Sequence, residues 1–350
     1  MKKIRLALLF GGRSAEHEVS IQSAKSIIEN LCKEKYNVIP IHINKQGNFY
    51  YVNKDNKIPL INDNNIEFIS GKLNKNILSS IDIVFPILHG TCGEDGSIQG
   101  LLKSLNIPFV GPDVLGSAVG MDKDVTKRLL REANILCAKS MVLHEFEINK
   151  IKYDTVALKL GNTLYVKPAN LGSSIGISKV QSAKEFNKAI KKAFLYDNKI
   201  IIEEFMQGRE IECAILGNEH PVASSVLGEI VTKEGFYNYE AKYNDPKATE
   251  LIIPARLPKN IIKKIKNLAI KVFKVLCCEG MARVDFFIND NYELIVNEIN
   301  TIPGFTKKSM YYRLWEASGV SYSNLLDKLI DLAIARHERD SVRIIDILKF

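Results

Sequence analysis

Hydrophobic spacing along the chain alternates between two periods. Leu6–Phe10 is a short apolar run, Gly11-Gly12-Arg13-Ser14 interrupts it, and apolar residues then recur at helical spacing from about His17 to Leu31 (Val19, Ile21, Ala24, Ile27, Ile28, Leu31). Val38–Ile43 reads as a second strand. Ile81–Leu88 reads as a third, apolar nearly throughout, as a parallel strand covered on both faces should be. The loop His89-Gly90-Thr91-Cys92-Gly93-Glu94-Asp95-Gly96 follows, then a helix through Leu101 and Leu105. Strand, crossover helix, strand predicts an open parallel α/β sheet. Such sheets bind ligands at the carboxyl ends of their strands, where both glycine loops fall.

A glycine-rich stretch from Gly111 to Gly120 marks a boundary, and Asp122–Glu132 then reads as a helix. Strands are expected at Leu164–Lys167, Ile175–Val180 and Ile200–Phe205, around a Gly/Ser loop. Farther on come a polar, aromatic loop from about Thr232 to Thr249, a helix near Asn260–Cys277 and strands at Ala282–Ile288 and Tyr292–Ile299. No internal repeat or low-complexity segment is seen.

Composition narrows the class. The 350 residues are enough for two or three domains at roughly 100–200 residues each. With 46% hydrophobic and 25% charged residues the chain is of ordinary globular make-up, which argues against disorder and fibrous repeats. The net charge of +8 raises nucleic-acid binding, but lysine is scattered and no basic block exceeds Lys191-Lys192 or Lys307-Lys308, so no nucleic-acid partner is expected. No apolar run approaches the roughly 20 residues that span a bilayer, so no membrane partner is expected either. The start, Met1-Lys2-Lys3-Ile4-Arg5 before Leu6–Phe10, lacks the length and cleavage site of a signal peptide and reads as a first strand. Cys32, Cys92, Cys137, Cys213, Cys277 and Cys278 form no CxxC pair and no Cys/His cluster; they fit reduced thiols in a cytoplasmic protein.

Several constellations carry chemistry. Arg283-Val284-Asp285 and Glu298-Ile299-Asn300 sit on the last two strands. Alternation puts Arg283 and Asp285 on one face, with Ala282, Val284 and Phe286 on the other. A two-residue turn at Asp290-Asn291 would set Arg283 opposite Glu298, with Asp285 its diagonal neighbour. Two carboxylates and an amide oxygen on one polar face suit Mg²⁺ or Mn²⁺ together with phosphate oxygens, although an isolated hairpin of this kind is more often just a solvated face. The sequel Thr301-Ile302-Pro303-Gly304-Phe305 is a tight turn that brings a backbone N–H beside them. A second pattern, Val166 to Gly176 (VKPANLGSSIG), places small residues where backbone N–H groups can approach an anion and adds the charge of Lys167. It lacks the GKS/GKT of a Walker A loop. Third, Ile201-Ile202-Glu203-Glu204-Phe205-Met206 with Glu210 is an apolar strand entering a polar hinge, able to offer backbone groups to adenine and a carboxylate to ribose.

In order and wording these segments resemble the D-alanine–D-alanine ligases of the ATP-grasp superfamily. The resemblance runs from Gly11-Gly12-Arg13-Ser14-Ala15-Glu16-His17-Glu18-Val19-Ser20 through HGTCGEDGSIQG at 89–100, Gly120-Met121-Asp122-Lys123, 167–176, YEAKY at 239–243 and NEINTIPGF at 297–305 to Ser309-Met310-Tyr311. It implies an N-terminal open parallel-sheet α/β domain (1–121), then an ATP-grasp fold of two α+β subdomains (122–206 and 207–350), with a lid loop at 232–249. It implies ATP-driven joining of two D-alanines, for peptidoglycan, through an acyl phosphate. Lys123 and Lys167 would bind ATP phosphates, Glu203, Glu204, Phe205 and Met206 cradle adenine beside Phe287, and Glu210 hold the ribose. Asp285, Glu298 and Asn300 would hold two Mg²⁺ ions, or Mn²⁺. Arg283 and the Gly304 N–H would stabilise the oxyanion. Glu16, with Val19 beside it, would hold the first substrate's ammonium group; His89 would lie near its carboxylate, and Ser309 would bind the second substrate's carboxylate. Ser173, Tyr243 and Glu16 would form the chain that closes the lid, and Lys242 would reach the γ-phosphate. A homodimer through the first domain is the family's expectation. The intact Tyr243 favours D-alanine over D-lactate as second substrate. Cys92 and Tyr312 depart from the family's pattern without removing a functional group.

Overall fold

The computed structural model describes residues 2–51, 71–72, 80–232, 249–306 and 308–342. Three sheets follow one another along the chain. The first has the order β4-β3-β2-β1-β5, built from β1 (Ile4–Gly11), β2 (Tyr36–Ile43), β3 (Phe49–Tyr51), β4 (Gly71–Lys72) and β5 (Ile83–Pro86). β1 lies between β2 and β5 and is parallel to both. Its unbroken apolar run has a physical reason: Leu6, Leu8 and Phe10 pack on helix α1 (His17–Asn30), while Ala7 and Leu9 pack on Ile98 and Leu102 of α2 (Ser97–Ser104). The strand read as third in sequence is fifth here. The two short strands β3 and β4 add antiparallel pairs at the far edge, so the sheet is parallel only across β2-β1-β5. Strands of two or three residues leave too little periodicity to be read in advance.

Helices α3 (Val114–Met121) and α4 (Lys123–Glu132) lead to a four-stranded antiparallel sheet of order β6-β9-β7-β8: β6 (Ser140–His144), β7 (Leu164–Pro168), β8 (Ser178–Val180) and β9 (Lys199–Glu204). Helices α5 (Tyr153–Leu160) and α6 (Ala183–Ala193) cover its apolar face, where Val156, Phe186 and Ile190 meet Leu164, Val166, Ile200 and Ile202. β8 begins three residues later than expected. Ser173, Ser174 and Gly176 all have positive φ, a conformation that cannot continue a ladder.

The third sheet has the order β13-β12-β10-β14-β15, with β11 (Val222–Ala223) paired to β10. Its strands are β10 (Arg209–Gly217), β12 (Gly228–Thr232), β13 (Thr249–Ile252), β14 (Gly280–Ile288) and β15 (Leu294–Asn300). Helix α7 (Lys259–Val275) packs on one face against Ile211, Cys213, Ala282, Val284 and Phe286. The other side meets α8 (Met310–Ala317) and α9 (Tyr322–Ser341). Their Tyr311, Leu314, Leu325 and Leu329 share one core with β1 and α1. Burying Val284 and Phe286 contributes roughly 1.5–3 kcal/mol apiece. A one-residue slip would forfeit that and drive Arg283 and Asp285 into the apolar side, so the facing of β14 is strongly specified.

Candidate functional site

On the polar side of the third sheet the register differs from the two-residue-turn expectation. The loop between β14 and β15 runs from 289 to 293, with Tyr292 at positive φ and the Asn289 carboxamide oxygen accepting from the N–H groups of Asn291 and Glu293. Asp285 pairs with Glu298 but Phe286 with Val296, so one extra residue is bulged out of β15. As a result Arg283 stands opposite Asn300, and Asp285 directly opposite Glu298. The expected Arg283–Glu298 pairing is therefore corrected, and the two carboxylates come closer in register than supposed.

Arg283 donates to Asp285 through Nε (2.8 Å) and Nη2 (2.7 Å), and Asn300 Nδ2 donates to the same carboxylate at 2.8 Å. Glu212 on β10, opposite Asp285 on the other side of β14, approaches Arg283 Nε at 2.9 Å. Burial works against the guanidinium's charge, but Asp285 and Glu212 outweigh it and hold the arginine pKa well above its usual value. Phe287 continues this face of β14 and stands across from Glu210 at the start of β10.

The second sheet brings up the lysines. Asp122 caps α4 through the N–H groups of Asp124 and Val125, and Lys123 and Lys127 lie one turn apart on that helix. Lys123 Nζ donates to the Leu171 carbonyl at 2.5 Å and stands 3.8 Å from Glu298. Lys167 on β7 and Lys127 approach the two oxygens of Glu203 at 2.6 and 3.2 Å. Burial alone would raise the Glu203 pKa; the two lysines outweigh it and hold it at about 2. The Glu203 side chain is thus held by two lysines at the entry to the hinge. In that hinge Glu204 accepts from Lys139 N–H, and the half-buried Phe205 ring lies 5.8 Å from Tyr165 and under Lys179 at 4.4 Å, with half-buried Met206 next to it.

The first sheet contributes from the carboxyl ends of β1 and β5. Glu16 accepts a hydrogen bond from Ser173 of the glycine-rich loop, 157 residues away. The close approach needs glycine: a Cβ on Gly90 would sit 2.9 Å from Glu16 Oε2, and one on Gly172 3.3 Å from it. His89 Nδ1 lies 3.1 Å from the Ile302 carbonyl, which can only accept, so this nitrogen carries the proton; Nε2 meets Ser23 Oγ at 3.1 Å. Ser23 in turn accepts from Phe305 N–H. Glu94 accepts from Gly90 N–H (2.7 Å) and Ile302 N–H (3.2 Å), and burial next to Glu16 pushes it up to about 8. Val19, half-buried, lies in the first turn of α1. Ser309, ahead of α8, leaves its helix uncapped and bonds back to Thr306 N–H (2.9 Å) and hydroxyl (2.8 Å); a Cβ on Gly304 would sit 2.9 Å from its oxygen.

The structure thus pairs Glu16 with Ser173, Lys167 with Glu203, Lys123 with Glu298, and Arg283 and Asn300 with Asp285, sets Asp285 opposite Glu298, and ties His89 to Ile302 just beyond Asn300. Lys242 and Tyr243, with Tyr239, lie outside the described residues, between β12 and β13, whose ends pair at Thr232 and Thr249. Sequence reading missed three contributors. Lys127 was signalled by its helical spacing from Lys123. Glu94 stood unassigned inside the quoted 89–96 loop. Glu212 had no local signal, because Glu210-Ile211-Glu212 breaks the apolar run that would have revealed β10.

Two family models match the chain, D-ala D-ala ligase N-terminus over residues 5–112 and D-ala D-ala ligase C-terminus over residues 129–331. A D-alanine–D-alanine ligase of Shouchella clausii is 48% identical, with 97% of each chain covered. Among solved structures, the D-alanine–D-alanine ligase of Coxiella burnetii superposes with a TM-score of 0.81 at 39% identity over 97% of each chain. VanG, a D-Ala:D-Ser ligase of Enterococcus faecalis, gives 0.81 at 36% over 95% of this chain and 100% of its own. A Bacillus anthracis D-alanine–D-alanine ligase complexed with ATP gives 0.76 at 28% over 96% and 99%. These likenesses take in all three sheets, the ATP-grasp arrangement expected from the motifs. The chain belongs to the D-alanine–D-alanine ligase family.

Proposed function

We propose that this chain joins two D-alanines into D-alanyl-D-alanine, the peptidoglycan dipeptide, at the expense of ATP. Full-length family membership supports the reaction, and one geometric observation carries the site: Lys123 stands 3.8 Å from Glu298, which joins the lysine-rich second sheet to the acidic face of the third. Phosphoryl transfer asks little covalent help and much charge neutralisation, so lysines beside a hard-oxygen set are what it needs.

Among the described residues no three or more His, Cys, Asp and Glu side chains form a ready-made metal shell. The set here is two carboxylates and an amide, and it fits Mg²⁺ or Mn²⁺. Asp285 and Glu298 face each other in register, and Asn300 spends its nitrogen on Asp285, turning its oxygen the other way. When bound there, divalent cations supply charge neutralisation for the phosphates. Lys123 and Lys167 would bind the phosphates, Glu203 to Met206 and Phe287 the adenine, and Glu210 the ribose. The first D-alanine, its ammonium on Glu16 near Val19 and its carboxylate near His89, attacks the γ-phosphate and gives acyl phosphate and ADP. The amine of the second, its carboxylate on Ser309, attacks that carbonyl. Arg283 and the Gly304 N–H steady the oxyanion; the C–O bond then breaks, its electron pair leaving with phosphate, which takes up the proton that the attacking amine gives up. Ser173 and Tyr243 would couple the lid to Glu16, and Lys242 would reach the γ-phosphate; excluding water there protects the acyl phosphate.

The division 1–121, 122–206 and 207–350, which assigns a single sheet to each domain, is retained in this reading. So are a homodimer through the first domain, where Leu101, Leu105 and Leu115 are exposed, and a cytoplasmic location, in keeping with six free cysteines. No helix among the described residues is long and apolar enough to cross a membrane. The test is phosphate release with ATP and Mg²⁺ in the presence of D-alanine, L-alanine, or D-alanine with D-lactate or D-serine. Release with D-alanine alone, matched by dipeptide, is expected. Release that depends on D-serine or D-lactate would reassign the second substrate, and silence in every mixture would overturn the reading.

A further inference from the structure

Arg283 has two carboxylate partners where one would neutralise it. Its N–H groups are directed at Asp285, while Glu212 stands 2.9 Å from Nε on the neighbouring strand, with only 2% of its surface exposed. Glu212 and Asp285 flank the guanidinium from adjacent strands, on the face turned away from the Ile211 and Cys213 side chains that pack on α7. Burying a second carboxylate at this place costs solvation.

We propose that Glu212 is a positioning residue that keeps Arg283 in place when Asp285 turns its oxygens to a divalent cation. The inference rests on the reading of Asp285 as a metal ligand given above. As the side chains stand, both oxygens of Asp285 accept from Arg283, and one of them also from Asn300. Serving a cation means loosening that pair. Without Glu212 the step would strand a buried guanidinium; with it, Nε passes from one carboxylate to the other with little movement, because Glu212 and Asp285 are register partners on adjacent strands. The remaining N–H groups are then free to face the oxyanion. Glu212 itself touches neither substrate nor cation. It sets how easily Asp285 is released and where the guanidinium points.

The test is a Mg²⁺ titration of Glu212→Gln, followed both by the thermal stabilisation that ADP gives and by ligation. Wild type should show Mg²⁺-dependent stabilisation by ADP. In Glu212→Gln the Mg²⁺ midpoint should rise about tenfold or more, the usual effect of removing a group that orients a metal ligand. Turnover should fall as well, while the KM for D-alanine changes little. Glu212→Asp, which keeps the charge but draws it back, should recover some of each. A Glu212→Gln protein with wild-type midpoint and turnover would overturn the proposal and leave Glu212 as a structural ion pair. Should Glu212→Gln not fold, the same titration on Glu212→Leu, which also removes the charge, decides, an unshifted midpoint overturning it. A wild type whose ADP stabilisation ignores Mg²⁺ would instead count against Asp285 as a metal ligand, which separates the two failures.

Discussion

The second and third sheets carry opposite versions of one arrangement. Around Glu203, two lysines clamp one carboxylate; around Arg283, two carboxylates clamp one guanidinium. Each cluster is buried, with lysines in the majority where phosphates would lie in the proposed reading and carboxylates in the majority where divalent cations would lie. Such contrasting surroundings suit complementary halves of a metal–nucleotide ligand. Lys123, between Leu171 and Glu298, is the point where they meet.

Four changes would break or sharpen this contrast. The largest effect is expected from Glu298→Gln: it takes one carboxylate from the proposed metal site while keeping the side chain's size, and Lys123 still has the Leu171 carbonyl, so ligation should be lost, by at least about a hundredfold, with a much smaller change in melting temperature. Near-normal phosphate release from that variant would remove Glu298 from the metal site. Arg283→Met leaves Asp285 and Glu212 buried without their cation. It should cost about 3–5 kcal/mol in denaturant unfolding as well as activity, and a wild-type unfolding curve would show that the clamp carries no stability. For Glu203, the folded-state pKa of about 2 lies below its ordinary 4.5. The stabilisation is therefore present above about pH 5 and lost as pH falls towards 2, of the order of 3 kcal/mol in all. Unfolding measured at intervals from pH 7 to 2 should show wild type ahead of Glu203→Gln at neutral pH and the gap closing in acid; a gap that stays constant would refute the lysine clamp. The smallest effect on stability belongs to Tyr243→Phe, which should alter turnover or the use of D-lactate while the melting temperature holds. If neither kinetic constant nor D-lactate use moves, the lid chain through Ser173 to Glu16 is wrong.

How far the site could be read in advance differs between the two clusters. Arg283 and Asp285 were assigned to one face of β14 by alternation, and the apolar face on α7 bears that out. Their partners across the ladder were not legible, because register depends on loop length and on the bulge in β15, neither of which leaves a hydrophobic trace. Glu203 is singled out by its strand and hinge, but the lysines that hold its carboxylate are not legible beside it, because they come from a helix and a strand 76 and 36 residues earlier.

The sequence by itself determined the chemistry on offer and its order along the chain: the glycine loops, the lysines, the paired carboxylates, the fully apolar β1 and the alternation of β14. These are local properties, set by steric freedom at glycine and by the side-chain periods of helix and strand. Only the tertiary structure decided which charge meets which. It brought Ser173 to Glu16 across 157 residues, tied Glu94 to Ile302 across 208, set Asp285 opposite Glu298 and slid Glu212 in beside Arg283. Those pairings follow from the packing of three sheets on shared cores, and packing is a property of the whole chain that no short window of residues contains.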